Sequence, residues 1–377
     1  MVWCCYKIDY LFYAIEFLSS SIIYKMIKHQ EHIIHKDKQA RAALKVLDEL
    51  PGDVSRTIFV IDENDKMVGS LSDGDIRRGL LNGLEISHAI ESFMNKQFKF
   101  LHEGDNNVDL IKTYRKDNVH LIPLLDENFQ LLQILDLKNT KTILPVAALI
   151  VAGGRGERLR PFTDLIPKPM LKVGDKPILE HNIDRLITYG ISEFYISVKY
   201  LKEQIIDYFG DGVTKNVCIH YIEEDEPLGT LGALSLIDEI DNDDILVMNS
   251  DLLTNIDFED FYNFYKHAHA TMALASIPYV VNVPYAVLET KDHEVASFIE
   301  KPTYTYYSNG GIYLLKFALK EYLLKGSFFN ATDLMDKIIL EDNCTLVHYP
   351  LLGYWLDIGK YQDYIKAQAD IKHFNFL

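Results

Sequence analysis

VAALIVAGGRGERLRPFTDLIPKPMLK, residues 146 to 172, is the stretch on which the fold turns. It opens with Val146 to Val151, a short apolar run with β-branched ends, which reads as a buried strand. Gly153, Gly154 and Gly156 follow directly. Glycine lets a backbone take positive φ and approach a ligand closely. Successive free N–H groups in such a turn form an anion-binding concavity. Arg155, Arg158, Arg160 and Lys168 then place four cations within fourteen residues. A strand, a glycine turn and clustered cations suit a polyphosphate. The alternative is a surface loop with stray arginines.

Two commoner glycine loops are excluded. No Gly-Lys-Ser/Thr follows the glycines, so this is not a Walker A loop, and Leu159 stands where a dinucleotide fingerprint needs its third glycine. Downstream, the chain alternates element types. Ile178 to Tyr189 has helical spacing closed by Gly190, Phe194 to Val198 reads as a strand, and Leu201 to Phe209 reads as a helix closed by Gly210. Val217 to Ile222 and the very apolar Asp244 to Met248 are further strands. Such alternation predicts an α/β fold with a mostly parallel, doubly wound sheet, whose ligands gather at the carboxyl ends of strands. The pattern G-G-x-G-x-R-L-x-P-x-T followed by P-K-P resembles the signature of the sugar-1-phosphate nucleotidyltransferases. It is carried by Gly153, Gly154, Gly156, Arg158, Leu159, Pro161, Thr163, Lys168 and Pro169. The resemblance implies a Rossmann-like, glycosyltransferase-A-like domain with a mixed sheet. It also implies synthesis of a nucleotide sugar from an NTP and a sugar 1-phosphate.

Further elements extend it over about 146 to 369. Asp251, after the strand Ile245 to Met248, is placed to hold Mg²⁺, which takes one or two carboxylates and completes its shell with phosphate and water. Its other reading is a helix cap. The family usually has Gly-Asp here, and Ser250 replaces the glycine. Asp357 lies in a W-x-D-x-G element with Trp355 and Gly359, and the resemblance makes it the second metal ligand; alone it could be a turn residue. Leu228 to Ala233, LGTLGA, matches the loop that lies against base and ribose, with Gly229 and Thr230 as contacts; Thr230 could instead cap a following helix. Glu300, Lys301 and Pro302 match an E-K-P element that holds sugar hydroxyls and the sugar phosphate, and Asn309, Gly310 and Gly311 match another sugar contact. Tyr285-Ala286-Val287 departs from the usual Tyr-Gly-Val, so a methyl group enters near the sugar. In this reading Arg158, Lys168 and Asp251 are catalytic. Gly153, Gly154, Gly156, Arg158, Lys168, Gly229 and Thr230 bind nucleotide, and the metal is held by Asp251 and Asp357.

Composition bounds the alternatives. The 377 residues suggest two or three domains. A net charge of −17 argues against nucleic-acid or anionic-membrane binding, so phosphate must be met by local cations. Cys4, Cys5, Cys218 and Cys344 form neither a zinc pattern nor a disulfide framework, which points to a reducing cytoplasm.

Residues 30 to 140 contain an internal repeat. TIFVIDENDKMVGSLSDGD (57 to 75) and VHLIPLLDENFQLLQILDL (119 to 137) each run from an apolar strand through Asp-Glu-Asn into a second strand. The triplets start at Asp62 and Asp126, and helical patterns precede both halves, at Ala40, Ala43, Leu44 and Leu47 and at Val108, Ile111 and Tyr114. Two copies of one unit should stack. The repeat resembles a tandem pair of CBS domains, an α+β regulatory module that often binds adenosine nucleotides. The first copy has the ribose-contacting [ST]-x-x-D element as Ser72 and Asp75; the second does not. Ser72 could equally cap a helix Gly74 to Leu81.

The expected organisation is an uncertain extension over 1–28, a CBS-type module over 29–140 and a catalytic domain over 145–377, joined by a linker near Lys138 to Leu144. Residues 1 to 25 are apolar but interrupted by Lys7, Asp9 and Glu16, so the longest uncharged run is too short to span a bilayer, and the segment is unlike a secretory signal. Either Met26 is the natural start or the segment is an amphipathic helix packing on the body or a partner. His29, His32 and His35 are expected on the surface of a helix. Together the two resemblances point to bacterial CBS-containing guanylyltransferases acting on glucosamine, mannose or heptose phosphates, in a homo-oligomer. The alternatives are a uridylyl- or thymidylyltransferase of the same family, or an inactive nucleotide sensor.

Overall fold

The computed structural model describes residues 30–50, 55–103 and 107–373. The segment 1–28, Cys4, Cys5 and His29 lie outside them. The chain divides into two compact units between Thr142 and Ile143.

The first unit is built twice. Its first half runs β1 (Ile33–His35), α1 (Ala40–Glu49), β2 (Thr57–Ile61), β3 (Met67–Ser72) and α2 (Asp73–Leu81). Its second runs β4 (Leu101–His102), α3 (Val108–Lys116), β5 (Leu121–Leu125) and β6 (Leu131–Asp136). In each, the short first strand lies parallel to the middle one and the third antiparallel to it. Ala40, Ala43 and Leu47, spaced for one helix face, are buried against Ile58, Val60 and Leu71. The repeated Asp-Glu-Asn is a turn device. Asp62 Oδ1 accepts from the N–H groups of Asn64 (2.8 Å) and Lys66 (3.0 Å). Asp126 Oδ1 accepts likewise from Asn128 (2.9 Å) and Gln130 (2.7 Å). A short carboxylate bonding its own backbone two residues on fixes such a turn. The copies meet at these turns, where the Met67 N–H donates to Phe129 O at 2.9 Å, and they share a core of Phe59, Met67, Leu121, Leu125 and Ile134.

One expectation fails here. His32 and His35 are not on a helix. His32 sits in a 3₁₀ turn (Gln30–His32), buried, with Nδ1 2.8 Å from Thr57 O, while His35 ends β1 in solvent. Pairing of β1 with β2 turns His32 inward and His35 outward.

The second unit carries a seven-stranded mixed sheet. Its strands are β7 (Val146–Val151), β10 (Glu193–Val198), β11 (Cys218–Glu223), β12 (Asp244–Asn249), β14 (Met272–Asn282), β17 (Thr303–Lys316) and β18 (Leu346–Pro350), in the order β11-β10-β7-β12-β17-β14-β18. The first four are mutually parallel, β17 opposes both its neighbours, and β18 runs with β14. Small pairs complete it: β8 (Lys172–Val173) with β9 (Lys176–Pro177), β13 (Leu252–Thr254) with β19 (Trp355–Asp357), and β15 (Val287–Lys291) with β16 (Glu294–Ile299). The helices are α4 (Ile178–Thr188), α5 (Lys202–Phe209), α6 (Phe258–His267), α7 (Ala331–Ile339) and α8 (Tyr361–Asp370). Val146 to Ile150 are all buried, so both faces of the central strand are covered, as parallel strands require. On one face Ala147, Leu149, Ile245 and Val247 pack with Leu334 and Ile338 of α7.

Candidate functional site

The carboxyl ends of β7 and β12 lie side by side, with Asn249 opposite Val151. Both chains turn away there, leaving a cavity of about 390 Å³. The glycine turn forms one wall, through Gly154 and Gly156. Gly156 has φ +64°, and a Cβ there would lie 2.9 Å from the Lys168 Cβ and 3.1 Å from the Thr163 methyl. A side chain is therefore excluded both by backbone sign and by space. Thr163 ties the turn by donating to Gly156 O at 2.9 Å. Gly154 faces open space.

Of the four clustered cations, only Arg158 and Lys168 line the cavity. Arg160 is engaged by Asp164 at 3.2 Å, and Arg155 lies over the Tyr200 ring, 5.3 Å from its centroid. Arg158 and Lys168 are the two that the sequence reading assigned to the site. One helical-type turn (Glu157–Leu159) places Arg158 inward and the other two arginines outward.

Asp251, between β12 and β13, and Asp357, at the end of β19, come together although 106 positions separate them. The β13–β19 pairing sets Leu252 opposite Asp357, and the Ile358 N–H donates to Asp251 O at 3.0 Å. Lys168 Nζ donates to Asp251 Oδ2 and lies 4.0 Å from Asp357 Oδ1. That Oδ1 is buried and accepts no hydrogen bond. Burial first, and the Asp251 charge second, push the Asp357 carboxyl above the ordinary carboxylate range; Lys168 and Arg158 oppose the shift. A buried, unpartnered carboxylate oxygen beside a second carboxylate fits a divalent cation. Among the described residues no larger His, Cys, Asp and Glu cluster forms. Ser250 does not disturb the loop: it is buried, its N–H donates to Val151 O at 3.1 Å, and its carbonyl accepts from Asn182 Nδ2 at 3.1 Å.

Asn309 and Gly310 join the same region. Asn309 Oδ1 accepts from the Gly311 N–H at 2.9 Å, and Trp355 Nε1 donates to Gly310 O at 2.9 Å. Gly311, at φ +71°, presses on the cavity residue Asn249, which a Cβ would approach to 2.7 Å. Glu300 and Lys301 differ: they are exposed at the foot of the β15–β16 hairpin, outside the cavity lining.

Gly229 and Thr230 also lie outside that lining. Gly229 has φ +75°, and its Cβ position falls 2.8 Å from Phe329 O, so its glycine is demanded by packing on that segment. The alternative reading of Thr230 as a helix cap is not realised; the next turn is 3₁₀ (Gly232–Leu236) and has no side-chain cap. This loop is tied to the glycine turn by Glu224, which sequence reasoning passed over. Glu224 is buried; its Oε2 accepts from the Leu228 N–H at 3.1 Å, while Oε1 has no partner. Its carboxylate would meet a Gly153 Cβ at 3.0 Å. The signal was there in principle: an acidic residue directly after a strand of the parallel sheet.

In the first unit, Ser72 and Asp75 form a capping box on α2: Ser72 Oγ donates to Asp75 Oδ2 at 2.6 Å, and the Ser72 N–H donates to it at 2.8 Å. Arg78 takes the other Asp75 oxygen at 2.6 Å. The alternative reading of Ser72 as a cap describes this geometry, which engages both candidate ribose contacts.

A family model described as nucleotidyl transferase matches residues 147–373. Among curated proteins, a Schizosaccharomyces pombe mannose-1-phosphate guanyltransferase is 31% identical over 58% of this chain and 62% of its own length. The Xenopus laevis mannose-1-phosphate guanyltransferase beta-A is 29% identical over 59% and 63%. The chain thus spans under two thirds of the length of these relatives. A solved Bacillus anthracis structure described as a glucose-1-phosphate thymidylyltransferase superposes on 62% of this chain and 97% of its own, with a TM-score of 0.51 at 24% identity; it shares the fold. No helix among the described residues is long and apolar enough to cross a membrane.

Proposed function

This chain belongs to the nucleotidyl transferase family, and we propose that it transfers a nucleoside monophosphate from an NTP to a sugar 1-phosphate. The observation that carries this is the convergence of Arg158, Lys168 and Asp251 on one cavity beside the glycine turn, with an Asp357 oxygen 4.0 Å from the Lys168 ammonium. Catalysis of such a transfer is chiefly positioning and charge stabilisation. The N–H groups of Gly153 to Gly156 cradle the triphosphate. Lys168 holds phosphate oxygens, and Arg158 takes the charge that grows on the leaving pyrophosphate. Glu300, Lys301, Asn309 and Gly310 hold the sugar phosphate. An oxygen of the sugar phosphate attacks the α-phosphorus, and the bond from that phosphorus to the bridging oxygen breaks to release pyrophosphate. The nucleophile is already an anion, so no side chain need remove a proton. Asp251 and Asp357 would hold Mg²⁺, which when bound neutralises phosphate charge.

Guanine is the base we favour. Glu224 offers an unpartnered carboxylate oxygen between the glycine turn and the 228–230 loop. Guanine presents two adjacent donors, N1–H and the 2-amino group, which suit a carboxylate. The relatives named as mannose-1-phosphate guanyltransferases support guanine and mannose 1-phosphate. We read the first unit as a CBS-type regulatory module for an adenosine nucleotide, supported by its duplicated architecture alone. Pyrophosphate release tests the whole reading. GTP with mannose or glucosamine 1-phosphate and Mg²⁺ should give turnover, and Asp251→Asn should lower it by about 10³-fold, the several kcal/mol a metal's charge supplies. Undiminished turnover in that variant would discard the metal pair.

A further inference from the structure

We infer that the turn joining β10 to α5, residues 199–204, is a clamp that fixes the span between the two nucleotide-holding loops, with Tyr200 positioning the phosphate end and Lys199 the base end. The inference rests on the proposed reading of the glycine turn as the phosphate cradle and of residues 224–230 as the base loop. β10 lies between β7 and β11 in the sheet. Its last residues bond to both neighbours as those strands end. The Ala152 N–H donates to Ser197 O at 3.0 Å, and the Glu224 N–H donates to Val198 O at 2.9 Å. The chain after Val198 therefore emerges between the glycine turn and the loop that starts at Glu224.

Consecutive side chains there go to different loops. The Tyr200 hydroxyl lies 3.1 Å from Thr163 O and 3.0 Å from Asp164 O, and donates to them. Gln204 Nε2, on the first turn of α5, donates to Leu165 O at 2.9 Å. Three successive carbonyls are thus tied down. Thr163 passes the constraint on: its hydroxyl donates to Gly156 O, closing the loop that carries Arg158 into the cavity. Lys199 goes the other way. Its Nζ donates to Asp225 O and lies 3.5 Å from Glu226 Oε2, directly after Glu224. Lys202 adds an ion pair with Glu223.

The backbone between these anchors is strained. Leu201 has φ +51°. A residue other than glycine keeps that conformation only where its surroundings over-determine it, and such sites cluster where geometry serves function. Here hydrogen bonds to two loops hold it from both sides. The two ends of a nucleotide are set apart by its covalent frame, so a strut between the loops pre-organises the site. A misplacement of about 1 Å can cost about 10²-fold in rate.

Two half-ligands separate the arms. Calorimetric titration of the full chain with pyrophosphate and, separately, with GMP, each with Mg²⁺, reads each end by itself. Tyr200→Phe keeps the ring under Arg155 and removes only the hydroxyl. It should weaken pyrophosphate binding about tenfold, the worth of one hydrogen bond, and change GMP binding by less than about twofold. Lys199→Met should do the reverse. General loosening of the fold would weaken both ligands alike. The crossed pattern upholds the clamp, and any other pattern overturns it, including a wild type that fails to bind one of the two. If Tyr200→Phe does not fold, Gln204→Ala, which alters an exposed side chain bonded to the same loop, takes its place with the same expectation. Pyrophosphate release by the wild type judges the transfer reading separately. Turnover without the crossed pattern discards the clamp alone; the crossed pattern without turnover upholds the clamp and discards the transfer reading.

Discussion

Lys168 is the residue whose removal tests the electrostatics of the cavity most directly. Its ammonium donates to Asp251 and stands 4.0 Å from an Asp357 oxygen that has no hydrogen bond. Lys168→Met keeps the stem that packs under Gly156 and deletes the charge. Two neighbouring carboxylates then lose their shared cation. Stripping one partner from a buried ion pair costs about 3–5 kcal/mol. The side chains of Lys168 and Asp251 are 11% and 21% exposed and that of Asp357 is 43% exposed, so solvent screens part of this. About 2–3 kcal/mol is expected, which for a unit of this size lowers Tm by roughly 5–10 °C. The loss should be conditional. A divalent ion entering between the carboxylates replaces the missing charge, and a ligand at about a hundred times its Kd returns about 2.7 kcal/mol. Differential scanning calorimetry in EDTA and in excess Mg²⁺, without nucleotide, reads both effects. The variant should regain most of its lost Tm in Mg²⁺, whereas the wild type should respond weakly because Lys168 already occupies the ground between the carboxylates. Turnover should remain low in both media, since the lysine's contact with phosphate is gone. An undiminished Tm in EDTA would show that Lys168 is not the counter-ion; a loss that Mg²⁺ cannot restore would show that Asp251 and Asp357 are not a metal pair.

Two further outcomes follow from neighbouring groups. Glu224→Gln replaces a two-oxygen acceptor by an amide with one, so kcat/KM for GTP should fall about 10- to 100-fold, the cost of a hydrogen bond to a charged group, while UTP and dTTP are little affected; an unaltered preference for GTP would remove Glu224 from the base. Asp357→Asn should abolish turnover yet stabilise the metal-free protein near neutral pH. The sign follows from linkage: burial and Asp251 hold the folded carboxyl above its unfolded value, so the fold binds this proton more tightly than the unfolded chain does. Stability contributed by the group is therefore fully present below the ordinary carboxyl range, is lost as pH rises towards the folded value, and stays lost above it. Tm measured against pH in EDTA should show variant and wild type converging in acid; a gap of constant size would contradict this.

How much of this was legible in the sequence depended on whether a feature is local. The strand Val146 to Val151, the glycine turn and the helix closed by Gly190 declare themselves within a few residues, and the structure has them. The repeated Asp-Glu-Asn was visible as a pattern, and its physical role, a carboxylate bonding two backbone N–H groups, explains why both copies keep it. What depended on side-chain direction was not legible. Arg155, Arg158 and Arg160 look equivalent as a string, but one tight turn sends only Arg158 into the cavity. Spacing with His29 and His35 points His32 to a helix surface, but it is buried ahead of β1 with its ring on Thr57 O.

The acidic residues make the same point in reverse. A chain with net charge −17 has many carboxylates, and composition cannot say which of them matter. Position in the sheet does. Asp251 and Asp357 matter because the β13–β19 pairing closes the distance between them around a lysine, and Glu224 because the end of β11 delivers it under the glycine turn. All three stand at or just beyond strand ends and are partly or wholly withdrawn from water, and two leave a buried oxygen without a partner. A folded chain rarely leaves such atoms unsatisfied unless a ligand is to satisfy them. The two unsatisfied oxygens, one beside the Lys168 ammonium and one beside the 228–230 loop, are the observations on which the proposed nucleotide site most directly rests.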